Sequence, residues 1–166
     1  MMYVLFYMKV LAIDPGYGRC GVAVLEKVQG GKEVVLYSEC IETSAKDPFT
    51  ERLAAVVTEC VRLIEKYSPD SFAIEKLYFS NNQKTAMQVS EVRGALIAAA
   101  AMRDISVSEY TPGQVKSATT GWGKADKRQI IQTVRMLVHI EKEITHDDEY
   151  DAIAIGITHL AHSRGL

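Results

Sequence analysis

Three short apolar runs, each closed by a turn, open the chain. Lys9–Asp14 (KVLAID) stops at Asp14-Pro15-Gly16, Cys20–Val28 begins after Tyr17-Gly18-Arg19, and Gly30-Gly31 separates it from Glu33–Ile41. Parallel pairing needs a crossover of roughly a dozen residues or more. Runs joined this tightly therefore pair as an antiparallel meander. A meander presents one sheet, and everything downstream must cover its faces.

The downstream chain alternates between helix and strand. Asp47-Pro48 offers a helix N-cap with proline at the first helical position. Phe49, Leu53, Val56, Val57, Cys60, Val61 and Ile64 then form one apolar stripe that ends at Ser68-Pro69. Ser71–Glu75 (SFAIE) reads as a fourth strand and residues 83–102 as a helix. Its segment Gly94–Met102 is apolar almost all round, through four consecutive alanines. Such a helix is covered on more than one side, by the sheet or by a second subunit. Ile105–Tyr110 is a fifth strand, and Thr111-Pro112 opens a short helix bearing Lys116. After the loop Gly121-Trp122-Gly123, helices are expected over 126–140 and 148–162. The order gives an α/β domain with a mixed five-stranded sheet and helices on both faces.

A length of 166 residues, a net charge of −2 and 48% hydrophobic residues suit one domain with a proper core. The three cysteines, Cys20, Cys40 and Cys60, are odd in number and form no CxxC. That argues against a disulfide framework or a zinc site and for a reducing cytoplasm. The N-terminal run Met1–Tyr7 is far shorter than the roughly 20 residues of a membrane span, and it lacks the basic lead-in of a signal peptide. Residues 1–8 read as an extension ahead of a domain over 9–166, with Met8 as an alternative start. They could equally lengthen the first strand. Residues 109–140 carry five basic and two acidic residues, whereas Asp147, Asp148, Glu149 and Asp151 gather beyond them. A protein that grips phosphates with one part and metal with another has this pattern; so does a solvated helix face.

Four acidic positions sit where elements end or begin. Asp14 and Glu75 close strands, and Asp148 and Asp151, three apart, share one face of the last helix. Asp147 with Asp151, at spacing four, would serve equally. Singly, each has an ordinary explanation: a turn residue before Pro-Gly, or acidic groups answering the helix macrodipole. Glu75 resists this most, because a carboxylate ending an apolar strand must find a partner. If the first and fourth strands are neighbours and the last helix crosses their edge, all four converge. Like charges raise one another's pKa, and a divalent cation removes that cost. Hard oxygen donors suit Mg²⁺ or Mn²⁺, and a set this size can hold two ions roughly 4 Å apart. Such a pair supports in-line displacement at phosphorus without a covalent intermediate.

Five segments in order, spanning about Lys9 to Ser163, resemble the RuvC family of bacterial Holliday junction resolvases. They are LAIDPG (Leu11–Gly16), FAIEKLYF (Phe72–Phe79), VRGALIAAA (Val92–Ala100), QVKSATTGWGKADKRQI (Gln114–Ile130) and EYDAIAIGITH (Glu149–His159). The resemblance implies a ribonuclease-H-like fold and a metal-dependent endodeoxyribonuclease that acts in recombination and repair. It assigns Asp14, Glu75, Asp148 and Asp151 as catalytic ligands of Mg²⁺, with His146 and Asp147 close enough to compete with Asp148. It sets Lys116 and Lys127 against the scissile phosphate. Tyr78 would stack on an unpaired base or else pack in the core. Lys124 and Arg128 would meet DNA backbone, Lys124 being otherwise solvated. Arg93 could bind phosphate or pair with Glu91, and the structural role is preferred.

The same resemblance implies four-way junction DNA as substrate and a homodimer that matches the junction's two-fold symmetry. Gly94–Met102 would be its interface, and the RuvAB branch-migration complex a further partner. The sequence departs from the family pattern at Cys20, where threonine is usual, and in residues 1–7, which have no counterpart. Two rival readings are another ribonuclease-H-like nuclease, acting on branched DNA or RNA, and a catalytically silent junction-binding module. An actin-like or sugar-kinase ATPase needs two such domains, and this chain supplies one.

Overall fold

A computed structural model of the chain describes residues 7–28, 30–77 and 83–163. Its strands are β1 (Tyr7–Asp14), β2 (Arg19–Val28), β3 (Glu33–Glu42), β4 (Ser71–Glu75) and β5 (Ser106–Tyr110). Its helices are α1 (Phe49–Tyr67), α2 (Gln83–Ala101), α3 (Pro112–Thr120), α4 (Lys127–Leu137) and α5 (Asp147–His162). The five-stranded sheet runs β3-β2-β1-β4-β5. The meander β1–β2–β3 is antiparallel, and β4 and β5 join it in parallel. Among the described residues, no helix is long and apolar enough to cross a membrane.

Two cores fill the two faces of the sheet, because successive strand residues point opposite ways. Val10, Ala12, Ala23, Leu25 and Ala73 pack with Tyr150, Ile153 and Ile157 of α5. Leu11, Ile13, Val22, Val24, Phe72 and Ile74 pack with Val56, Cys60 and Leu63 of α1 and with Val92, Leu96 and Ala100 of α2. Each of the larger buried side chains contributes about 1.5–3 kcal/mol. This double coverage is why β1 reads as a continuous apolar run.

Two helix ends differ from the sequence expectation. Asp47 is not the cap of α1. Its backbone N–H donates to the Ser44 carbonyl in a turn (3.2 Å), and Pro48 holds the cap position with φ −54° and ψ 146°. The helix α4 stops at Leu137, because Val138 turns to an extended conformation (φ −127°, ψ 146°) and buries its side chain. The alanine run of α2 is covered on one side only in the single chain: Leu96, Ala99 and Ala100 are buried, while Gly94, Ala98 and Ala101 are exposed.

The helix α5 lies on β2 at two glycines. A methyl group on Gly21 would fall well inside contact distance of the Asp148 carbonyl oxygen, and 3.3 Å from Ala152 Cβ. Farther along, Gly156 leaves room for the Leu25 side chain, whose Cγ would lie 3.2 Å from an added methyl. Eight helical residues and four strand residues both advance about 12–13 Å, so both contacts hold along one line. Gly21→Ala must push helix backbone off the sheet and should cost about 2–3 kcal/mol. Gly156→Ala need only move the end of Leu25 and should cost less. Urea denaturation of the two variants checks the order; equal losses would mean that α5 is not docked at Gly21.

Candidate active site

Register lines up one row of residues across the sheet. Cys40 pairs with Gly21, Gly21 with Asp14, and Glu75 with Tyr110. Ile13 pairs with Ile74, so Asp14 and Glu75 come next, side by side at the ends of adjacent parallel strands. All five belong to the face that carries α5, by the alternation that puts Ala12, Ala23 and Ala73 there. The first turn of α5 rests over Gly21, the member with no side chain, and brings Asp148 above the row. The four carboxylates Asp14, Glu75, Asp148 and Asp151, remote in sequence, thereby act on one another.

Their ionisation records that crowding. The Asp14 carboxyl is raised well above its ordinary range, first by burial, then by Asp151, Glu75 and Asp148, with Lys127 opposing. Glu75 is pushed from 4.5 to about 7, again chiefly by burial and then by Asp151, against the pull of Lys127 and Lys116. Asp151 is raised by burial despite its ion pair with Lys127. Asp147, more exposed, is lowered by its hydrogen bond from Lys127, whose ammonium lies 3.1 Å away.

Neighbouring elements hold these groups in place. Asp126 and Gln129 form a capping box at the start of α4, which fixes where the helix begins and so where Lys127 stands. Arg135 Nε donates to the Tyr150 hydroxyl (2.7 Å) and ties α4 to α5. Glu149, buried, accepts from Ser38 Oγ (2.6 Å) and pairs with Lys142 (2.7 Å), anchoring α5 to β3. Arg93 is structural, as preferred, but with other partners than Glu91: its Nε donates to the Glu75 carbonyl (3.0 Å), and its guanidinium pairs with Glu109.

Of the other expected residues, Lys116 lies on α3, close enough to act on Glu75. Lys124 and Arg128 are exposed at the α3–α4 junction. Tyr78 lies outside the described residues. His146 and Asp147 turn elsewhere, His146 Nε2 to Glu42 (2.8 Å) and Asp147 to Lys127. Sequence reasoning missed Arg19, whose Nε lies 3.1 Å from Asp148, and missed Cys40 beside it. Only the β2–β3 register reveals that Arg19 and Cys40 share this end of the sheet.

Asp14 and Glu75, raised chiefly by burial and then by neighbouring carboxylates, offer hard oxygen donors of the kind a divalent cation prefers. The two cations nearest these carboxylates, Lys127 and Arg19, are long side chains with about half of their surface exposed, so they can swing aside.

Comparison with known proteins agrees. Residues 10–159 match the family model described as crossover junction endodeoxyribonuclease RuvC. The relative of that name from Petrotoga mobilis is 44% identical over 152 residues, 92% of this chain and 93% of its own length. That from Thermosipho melanesiensis is 42% identical over 148 residues, 89% of this chain and 94% of its own. Among solved structures, T. thermophilus RuvC in complex with Holliday junction substrate superposes with a TM-score of 0.87 at 30% identity, covering 95% of each chain. The yeast mitochondrial Holliday junction resolvase Ydc2, with a TM-score of 0.70 at 15% identity over 95% of this chain and 82% of its own, shares the fold. The chain thus belongs to the RuvC family of crossover junction endodeoxyribonucleases, metal-dependent nucleases of the ribonuclease-H-like fold that resolve Holliday junctions.

Proposed function

We propose that this chain cuts four-way DNA junctions symmetrically as a homodimer, with Asp14, Glu75, Asp148 and Asp151 holding Mg²⁺, or Mn²⁺ in its place, two ions per site. The observation that carries the reading is the placement of Asp14 and Glu75 at adjacent strand ends with the first turn of α5 lying beside them, where Asp151, Glu75 and Asp148 all raise the Asp14 carboxyl. Asp148, rather than His146 or Asp147, completes the set, because its charge acts on Asp14 with those of Asp151 and Glu75, while His146 faces Glu42. The related T. thermophilus structure holds a Holliday junction, which supports the same substrate here.

Ions held by these carboxylates would supply activation of the attacking water and stabilisation of the leaving 3′ oxygen. The chain's own part is placement and charge. Asp14 and Glu75 are fixed by the strand ends, and Asp148 and Asp151 by the docked first turns of α5. Lys127, kept charged by Asp151 and Asp147 against its partial burial, and Lys116 face the phosphate undergoing substitution and offset its developing charge. Lys124, Arg128 and Tyr78 contact the junction, the first two through backbone phosphates and Tyr78 by stacking. The nuclease domain spans 9–166, and residues 1–8 precede it as an extension whose Tyr7 and Met8 lengthen β1. The free cysteines and a DNA substrate support a cytoplasmic protein, with RuvAB as a further partner.

The outer face of α2 supports the dimer. Met87, Glu91, Gly94, Ala98 and Ala101 are all exposed. They recur at alternating spacings of four and three, the repeat of a helix–helix seam. Small side chains along that seam allow close approach.

Three outcomes test the reading. Asp14→Asn or Asp151→Asn should lower Mg²⁺-supported cleavage of a synthetic junction by at least about a thousandfold, with junction binding in Ca²⁺ retained; residual cutting near the parent rate removes that residue from the catalytic set. Ala98→Arg should give a folded monomer by sedimentation and uncouple the paired cuts; a persistent dimer places the interface elsewhere. The third concerns pH. Carboxylates raised in the fold stabilise the metal-free protein fully below about pH 4.5, and that stability is lost as pH climbs past about 7. Glu75 alone accounts for about 3 kcal/mol. In EDTA, Tm should fall from about pH 5.5 to about pH 8, Mg²⁺ should restore it mainly at the higher pH, and Glu75→Gln should flatten the slope. A Tm that rises over this range in EDTA contradicts the crowding.

A further inference from the structure

Beside the carboxylate set, on the other side of Asp148, stands a ligand set of different chemistry. Cys40, His146 and Asp148 each offer one donor atom, and the three lie within 4.8 Å of one another. Metal bonds of about 2.0–2.3 Å put tetrahedral donor atoms roughly 3.3–3.8 Å apart, so small side-chain adjustments complete the geometry.

The hydrogen bonds around His146 fix its tautomer. Nε2 faces the Glu42 carboxylate at 2.8 Å, which can only accept; Nδ1 faces the Arg19 guanidinium at 3.4 Å, which can only donate. Nε2 therefore carries the proton and Nδ1 presents its lone pair toward Arg19, which also pairs with Asp148. A carboxylate holding the remote ring N–H is how metal-binding histidines are oriented. A second observation points the same way: Asp148 Oδ2 is shielded from solvent and accepts no hydrogen bond, its close cation being the half-exposed Arg19.

We propose that Cys40, His146 Nδ1 and Asp148 bind a thiophilic divalent cation of the Zn²⁺ class, with water as fourth ligand and Glu42 orienting the imidazole. A thiolate and an imidazole select such an ion over Mg²⁺. Binding releases the thiol proton to solvent and displaces Arg19 from Asp148. It also takes Asp148 from the catalytic set, so occupancy inhibits junction cutting; that last step rests on the proposed role of Asp148. The three cysteines, in forming no CxxC, give no hint of this site in the sequence, because it depends on strand register.

The test uses the full metal-free chain with Co²⁺ as probe. Titration should produce a near-ultraviolet thiolate-to-cobalt absorption that saturates at one ion per chain and is displaced by one equivalent of Zn²⁺. Cys40→Ser should abolish the band, and Glu42→Gln should weaken cobalt affinity by about tenfold or more. His146→Gln, at a partly exposed position, should weaken it further and guards against a folding defect in Cys40→Ser. Zn²⁺ should inhibit Mg²⁺-supported cleavage by the parent but not by Cys40→Ser. No band in the parent, or a band that survives Cys40→Ser, overturns the site. A band in a protein that cuts no junction with Mg²⁺ leaves the site standing and removes the nuclease reading instead.

Discussion

The carbonyl of Asp148 rests where a side chain at position 21 would be, and that contact governs the rest of the active end. A glycine there costs backbone entropy within a strand, yet it lets α5 come down onto the sheet directly beside Asp14. With any larger residue the helix would ride higher, and Asp148 and Asp151 would sit farther from the two strand-end carboxylates. The apolar bulk of α5 supplies the force that holds the arrangement: Ala152, Ile153, Ala154, Ile155 and Leu160 are all at or near zero exposure. Hydrophobic burial along the helix thus sustains the electrostatic repulsion at its tip.

Three acidic residues in a row open that helix, and each points a different way. Successive helical residues are rotated by roughly 100°, so Asp147 turns to Lys127, Asp148 to Arg19 and the site, and Glu149 back to Ser38 and Lys142. The helix N-terminus favours all three charges, but only Glu149 is fully buried with partners on two sides. It acts as the anchor that fixes the rotation of α5 and thereby which neighbour faces the sheet row. A buried, fully partnered carboxylate thereby decides which of its neighbours face the sheet.

Much of this architecture was legible in the chain. The apolar runs ending at Asp14 and Glu75 marked buried strands because both faces of those strands are covered. The capping signal at Thr111 marked a helix start because the satisfied backbone groups lie within four residues. Convergence of the carboxylates came directly from assuming β1 and β4 adjacent. The features that escaped depended on pairing between distant segments. Arg19 against Asp148, Cys40 opposite Gly21, and Arg93 with Glu109 are set by register, where a one-residue slip reverses every side chain. Asp47 was misplaced as a cap because its local turn with Ser44 competes with the helix after it.

The ammonium of Lys127 lies between Asp147 and Asp151, so an ion held by Asp151, as proposed, would compete with it for that carboxylate. A lysine loosened in this way would be freer to meet a phosphodiester. Loading with metal and capture of nucleic acid would then be thermodynamically linked through one lysine, and linkage is reciprocal: DNA that engages the ammonium would in turn tighten the hold of the carboxylates on their cation.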